Sequence, residues 1–567
     1  MKTGKVNAHP VDAHVQRAEM EGLLNRLADL NAIGASLSSE RNLGKLLESI
    51  VGAAMKITRA DAGTLYLLDA EKQALTFEIL HNRSLGIRMG GTSGVAIPFY
   101  PIHLTGKDGR PNHAMVVSHA ALSGETVNIP DAYIAEGFDF SGTKKFDAKT
   151  GYHSRSFLAV PMRDHEHEVI GVVQLINALD ATGKVRQFSQ DDQKLLESLT
   201  SQAAIAVRNQ RLIQHLEELF EAFIQLINTA IDDKSPYTGG HCARVPVLTM
   251  MLAEAASRTA AGPLKDFSLT DQDRYELKMA GLLHDCGKIT TPVHVVDKAT
   301  KLHTLFDRIH LIDTRFEVLK RDAEIEMLHA LHELHPSSSP VGAGMGRGKS
   351  GDEAAVRAQY AARLRQLDDD REFLRNSNIG GEKMSDPDVE RVQRIARYRW
   401  RNAAGVEADF LSADELENLT IRAGTLTAAE REIINHHIVV TIKMLESLPW
   451  PKHLKRVPEY AGGHHERMDG KGYPRGLTRE QMSVQARLMG IADIFEALTA
   501  KDRPYKEGKT LTESLTILGK FKENGHIDPD LFDVFIREKV YLDYARKFLA
   551  PEQIDAVDET RIPGYSP

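Results

Sequence analysis

The sequence predicts an α+β module, an antiparallel sheet with helices, joined by one long helix to an all-α region that carries a helical insertion. Three observations predict it. Apolar runs bounded by turn residues recur between residues 63 and 177, the mark of strands. From about residue 189 to 232 the apolar spacing becomes three and four, the mark of a helix. From about residue 241 the chain reads almost entirely helical. At 567 residues it is too long for one core and suggests about three domains.

The elements follow in order. Residues 1–27 read as a flexible or helical N-terminus, and helical patterns run through "RLADLNAIGASL" and "LGKLLESIVGAAMKI". Strands are expected at 63–69, 74–80, 156–162 and 169–177, within a module spanning 28–208. The long helix of 189–232 places Leu212, Leu216, Leu219, Phe223, Leu226 and Ala230 at alternating four- and three-residue steps. That spacing is a coiled-coil seam and predicts a parallel homodimer stalk; a helix buried against its own domain is the alternative. Residues 298–420 are rich in Arg, Asp, Glu and Ala. Helical patterns at about 303–335 and 352–376 flank a Gly/Ser-rich tip there, which predicts a projecting helical hairpin. Residues 233–297 and 421–550 make up the remaining helical domain, and 551–567 a C-terminal tail.

Composition narrows the function. The net charge of -8 argues against binding a nucleic acid polymer, though not against a basic pocket for a small phosphate ligand. Two cysteines, Cys242 and Cys286, imply no disulfide framework and fit a reducing compartment. Neither a signal-peptide core nor an apolar run of the roughly 18 residues needed to span a membrane is present, so the expectation is a cytoplasmic protein.

Chemistry concentrates in the helical part. "HCAR" contributes His241, "LLHDCGK" contributes His284, Asp285 and Lys288, and "LTAAEREIINHH" ends in His436 and His437. "HHERMDGKGYP" adds His464 and His465, and "ARLMGIADIFEALT" adds Asp493. A carboxylate on the apolar stretch around Asp493 is costly to bury unless a cation or donor sits against it. Imidazole and carboxylate ligands suit iron, manganese or another first-row divalent ion, whereas structural zinc usually recruits clustered cysteines. Asp285 is the candidate to bridge two ions with its two oxygens. Two such ions can hold a hydroxide between them and grip a phosphodiester. Lys288, expected on the same helix face as His284, is the candidate charge partner for the transition state. His329, His332 and His335, spaced three apart, could chelate a metal but read better as a solvated helix face.

"HD" followed by "GK", "HHER.DG.GYP" and "AD.FEALT..DRPY" resemble the HD-GYP family of metal-dependent phosphohydrolases, over about 230–297 and 421–550. The resemblance implies hydrolysis of cyclic di-GMP to pGpG and often onward to GMP. It implies His241, His284, Asp285, His437, His464, His465 and Asp493 as ligands of divalent metal, iron or manganese. It further implies Lys288 and Arg503 as phosphate contacts, with Asp469, Gly472, Tyr473 and Pro474 in the loop that shapes the nucleotide pocket. Glycine there would let backbone groups approach the nucleotide. Aligning "AGTLTAAE" selects His437, with His436 as the adjacent alternative. Tyr237 stands where the family often carries a glutamate that helps hold a third metal, so a two-metal site is expected.

"SGETVNIPDAY", "FDAKTGYHSRSFLAVPM" and "VIGVVQLIN" resemble a GAF domain. Such a domain implies a small-molecule or cyclic-nucleotide ligand, or dimerisation alone. The cyclic-nucleotide signature is kept only in part, at Asn177, Phe188 and Asp192. Two further readings stand beside a GAF-controlled phosphodiesterase. One is a cyclic di-GMP sensor acting through a protein partner of the insertion or of the GYP loop; the other is a hydrolase of another cyclic dinucleotide or nucleotide phosphate.

Overall fold

The computed structural model describes residues 32–566 except 70, 72, 107, 236–239, 335–348, 382 and 502–507. Tyr237, His335, Arg503, the N-terminal 1–27 and most of the Gly/Ser-rich tip therefore lie outside the described residues. The chain divides into two compact units, residues 1–220 and 221–567.

The first unit is built on an antiparallel sheet. Its strands are β1 (Ala60–Leu68), β2 (Ala74–Asn82), β3 (Ile87–Gly90), β4 (Ile102–His103), β5 (Val127–Ile129), β6 (Phe157–Arg163), β7 (Val169–Leu179) and β8 (Val185–Arg186). The main order is β3-β2-β1-β7-β6-β5, with β4 paired to β2 and β8 to β7. β1 is central and every one of its residues is buried, so it is mostly apolar with no polar alternation beyond Asp61 and Thr64. One sheet face packs on the helix Leu43–Thr58 and on Leu196, Leu199, Ala203 and Val207 of the long helix. The other face is covered by the helix Val116–Ser123 together with Ile102, Phe140 and Phe157. The four expected strands form, with ends shifted by up to three residues.

The long helix runs from Gln190 to Lys234. Leu212, Leu216, Leu219, Phe223 and Leu226 are all about half exposed or more, while Ile224 and Ile231 are buried. The predicted seam is thus an uncovered apolar stripe, and the alternative of a seam buried against its own domain does not hold.

In the second unit, helix His241–Ser257 packs on helices Asp271–Leu283 and Val484–Thr499. Capping boxes open two of the helices that carry the site, Thr270 with Asp273 and Thr427 with Glu430, each satisfying backbone N–H groups that the helix leaves free. The 298–420 segment has a core of its own around Leu302, Ile312, Phe316, Leu367, Leu374, Phe410 and Leu419. Its two long helices are Ile309–Leu334 and Lys349–Asn378, and they pack together as expected. It also holds a two-stranded ribbon, Arg399–Arg401 with Glu407–Asp409, which a wholly helical reading leaves out. The turn at Gly405 (φ 75°) and the Arg399–Glu407 ion pair at 3.1 Å close it. His329 and His332 are exposed on the helix surface, in line with the solvated reading. The C-terminal residues pack against the domain: the Gln553 amide donates to the Thr499 carbonyl at 2.8 Å, and Ile562 is buried.

Candidate metal centre

Three helices and two loops converge at the site: His241, His437 and Asp493 lie on helices, whereas His284–Asp285 and His464–His465 lie in loops. The helix Asp271–Leu283 ends just before His284, and the chain turns through His284 and Asp285 into a short 3-10 segment, Cys286–Thr290. His284 and Lys288 therefore do not share a helix face. The turn instead sets Lys288 back against Asp285, Nζ 2.6 Å from Oδ2. Gly287 makes the turn's docking work. A Cβ there would lie 2.0 Å from the His437 carbonyl oxygen, and the Gly287 N–H donates to Thr441 Oγ1 at 2.9 Å. Gly287→Ala is therefore expected to destabilise the fold by about 1–3 kcal/mol, the usual cost of overpacking, and to loosen metal binding. Thermal melting together with metal titration checks it; an unchanged melt would show that this approach is dispensable.

Asp285 divides the ligands into two clusters. On the Oδ2 side lie His241 Nε2 at 3.2 Å and His284 Nε2 at 3.3 Å. On the Oδ1 side lies His437 Nε2 at 3.2 Å, which in turn stands 3.3 Å from His465 Nε2. His241, His284 and Asp285 could hold one ion, and His437, His464 and His465 another. Asp493 Oδ1 is 3.2 Å from His241 Nε2 and 3.9 Å from His284 Nε2. His437 is buried in this cluster and His436 is exposed, which decides the register between them.

Three of the histidines are oriented by one local device. The Nδ1–H of His284 donates to the Gly281 carbonyl at 2.7 Å, that of His437 to Ile434 at 2.5 Å, and that of His464 to Ala461 at 2.7 Å. In each case the acceptor is three residues earlier, and Nε2 is left with its lone pair facing inward. His241 is held by a different partner: its Nδ1 lies 2.5 Å from Glu496 Oε2, and Arg244 Nε donates to the other oxygen at 2.6 Å. Glu496 is almost fully buried, one turn beyond Asp493, and was not foreseen; the i, i+3 pairing of two acids within "ADIFEALT" was the available signal.

Electrostatics match a cation site. Burial pushes His464 well below the ordinary histidine range, with His465 and His284 adding to the effect. Burial likewise lowers His465 to about 4, against the opposing pull of Asp493. Both rings are therefore neutral, as metal ligands must be. Burial opposes ionisation of Asp285, but Lys288 and His284 outweigh it and hold the carboxyl well below its usual value. Burial also opposes protonation of His241, yet hydrogen bonds to Asp285, Asp493 and Glu496 raise it well above the ordinary value. Three carboxylates, those of Asp285, Asp493 and Glu496, thus surround one imidazole, an arrangement that favours positive charge there. Two buried polar atoms, Asp285 Oδ1 and His464 Nε2, have no hydrogen-bond partner. Polar atoms are rarely buried unpaired, and divalent ions would satisfy both. The donor set fits first-row divalent ions.

The adjoining loop is braced from within. The Asp469 carboxylate accepts from Arg467 at 2.8 and 3.0 Å and from the Lys471 N–H at 3.0 Å. Buried Glu466 accepts the N–H groups of Arg475 and Leu477 at 2.8 and 2.9 Å. At Gly472 a Cβ would lie 2.4 Å from the Arg467 nitrogen, so the room glycine leaves is taken by the loop's own backbone. This corrects the expected reason for that glycine. Tyr473, joined to Pro474 by a cis peptide, stacks on the His465 ring with centroids 4.9 Å apart. Cys242 and Cys286 are buried free thiols.

Comparison with known proteins agrees with this architecture. The GAF domain model matches residues 42–207, and two HD domain models match 238–368 and 413–531. The first of the HD matches runs into the 298–420 segment. A 3'3'-cGAMP-specific phosphodiesterase 1 of Vibrio cholerae is 44% identical over 81 residues, 14% of this chain and 19% of that protein. A cyclic di-GMP phosphodiesterase of Pseudomonas aeruginosa is 45% identical over 74 residues, 13% of this chain and 17% of that protein. A 3'3'-cGAMP-specific phosphodiesterase 3 of Vibrio cholerae is 39% identical over 135 residues, 24% of this chain and 28% of that protein. The matches thus span less than a third of each relative's length. The chain thus carries a GAF domain followed by an HD domain, with side chains at the site that could hold metal. Its HD, GK and GYP motifs are consistent with the HD-GYP family.

Proposed function

We propose that the chain is a cyclic di-GMP phosphodiesterase, opening the ring to pGpG, under control of its GAF domain. The observation that carries this reading is the position of Asp285, whose two oxygens face two separate histidine clusters. When bound, two divalent ions, iron or manganese by the donor set, would supply the Lewis acidity that activates water and neutralises phosphate charge. The residues do the rest. Asp285 would span the two ion positions, with His241, His284 and Asp493 on one side and His437, His464 and His465 on the other. Glu496 fixes the His241 ring, and Tyr473 braces His465. Lys288, partly exposed on the site side, holds a positive charge that can pass from Asp285 to a nonbridging phosphate oxygen. Arg503 would add a second phosphate contact.

Relatives acting on 3'3'-cGAMP favour a second reading, in which the same machinery opens that cyclic dinucleotide. Purified full-length chain loaded with manganese or ferrous iron, offered each dinucleotide in parallel, separates the two. Linear product from cyclic di-GMP is expected; a preference for 3'3'-cGAMP would select the second reading, and no linear product from either would sink both.

A homodimer joined along the exposed stripe of the long helix is the expected assembly, and a cytoplasmic signalling protein the expected setting. No described helix is long and apolar enough to cross a membrane. Leu216→Glu with Leu219→Glu is expected to give monomers in sedimentation. Each leucine lost from a seam forfeits about 1.5–3 kcal/mol of burial, and the acids add repulsion. Dimers that persist would place the interface elsewhere. A two-residue insertion beside Ile213 should break the seam's register and uncouple any GAF effector from turnover.

A further inference from the structure

We infer that Lys298, at the root of the 298–420 segment, is a positioning residue for His437, so that this segment and the His437 side of the site shift together. The inference rests on the two-ion reading of the site. The Lys298 side chain is 1% exposed. Its ammonium donates to Asn418 Oδ1 at 2.7 Å and to both oxygens of Glu430 at 2.8 and 2.7 Å. One buried charge therefore ties both ends of the segment to the helix Ala428–Glu446. Glu430 has a second task there, accepting the Thr427 N–H at 2.8 Å and closing the capping box. Glu430, Ile434 and His437 follow at four- and three-residue steps, one face of that helix over two turns. Ile434 supplies the carbonyl that orients the His437 ring.

The connection continues outward into the segment. The Asn418 amide donates to the Asp414 carbonyl at 2.8 Å within helix Ala413–Leu419. Glu415 of the same helix accepts a forked pair of bonds from Arg315, at 2.7 and 2.9 Å, on helix Ile309–Leu334. Two charge-assisted contacts, Arg315 with Glu415 and Lys298 with Asn418 and Glu430, joined by two helices, thus lead from a long helix of the segment to the ring facing Asp285 Oδ1. A bridge needed only for stability could sit anywhere along the domain. This one ends at the cap of the helix that bears a candidate ligand.

The test reads metal and needs no substrate. In wild-type full-length chain loaded with manganese, electron paramagnetic resonance is expected to show an exchange-coupled pair. Lys298→Met is expected to weaken the second ion by about tenfold to a hundredfold, the range for groups that orient a ligand, and to yield a mononuclear spectrum at limiting metal. Affinity for the first ion, on the His241 and His284 side, should change by less than about twofold, because Lys298 touches none of its ligands. Lys298→Arg, which keeps the charge, should restore the coupled spectrum. Should Lys298→Met fail to fold, Glu430→Gln decides, since glutamine also serves in a capping box but loses the charge. A wild-type coupled spectrum that persists unchanged in the variant would overturn the positioning role alone. An uncoupled wild-type spectrum would overturn the two-ion site and this inference with it.

Discussion

Asp285→Ala is expected to abolish metal binding and turnover together. The carboxylate lies 3.2 Å from His241 on one oxygen and 3.2 Å from His437 on the other, and it is buried. Asp285 is the acid paired with His437, whereas Asp493 pairs with His241 and His284. Removing it would also leave the half-buried Lys288 without its nearest partner. Activity should fall by about a thousandfold or more, at or beyond the loss seen when a principal transition-state stabiliser is removed. Metal content, measured on the same sample by elemental analysis, should fall with it. A variant that kept two ions and near-normal turnover would mean that Asp285 is a bystander.

Lys288→Met should behave differently. Methionine matches the length of the lysine stem and removes only the charge. The expected outcome is a fall in kcat of about a hundredfold to a thousandfold, with both ions retained and KM little changed, as for a group that acts mainly in the transition state. The geometry leaves a sharp alternative to test. Lys288 pairs with Asp285 at 2.6 Å, so its charge could serve to hold the carboxylate in place. In that case metal would be lost in step with activity. Comparing Asp285→Ala with Lys288→Met therefore separates building the site from stabilising the reaction.

Much of this was legible in the sequence because the chemistry sits in short local motifs. His284 and Asp285 are adjacent and directly follow an apolar run, as a plain core would not, and Asp493 sits within the apolar stretch Ile491–Phe495. The strands were readable because β1 is covered on both faces, which makes its second half, Leu65–Leu68, a run of apolar residues. The seam was readable because a helix exposing apolar residues at three- and four-residue steps has few other reasons to do so.

What escaped was set by how separate segments meet. Glu496 is distant in sequence from His241, 255 positions away, and only the packing of their two helices makes it the partner of that ring. His284 and Lys288 fit one helix face by spacing, but Gly287 must approach the His437 backbone, and the chain leaves the helix to let it. Gly472 looked like a glycine facing a nucleotide, whereas its space is filled by Glu466 and Arg467. Residue types and local periodicity are properties of a few neighbouring positions, so the sequence by itself determined the candidate ligand set, the strands and the long helix. Which oxygen of Asp285 faces which cluster, and that Lys298 reaches Glu430, depend on long-range packing. Those the tertiary structure alone decided.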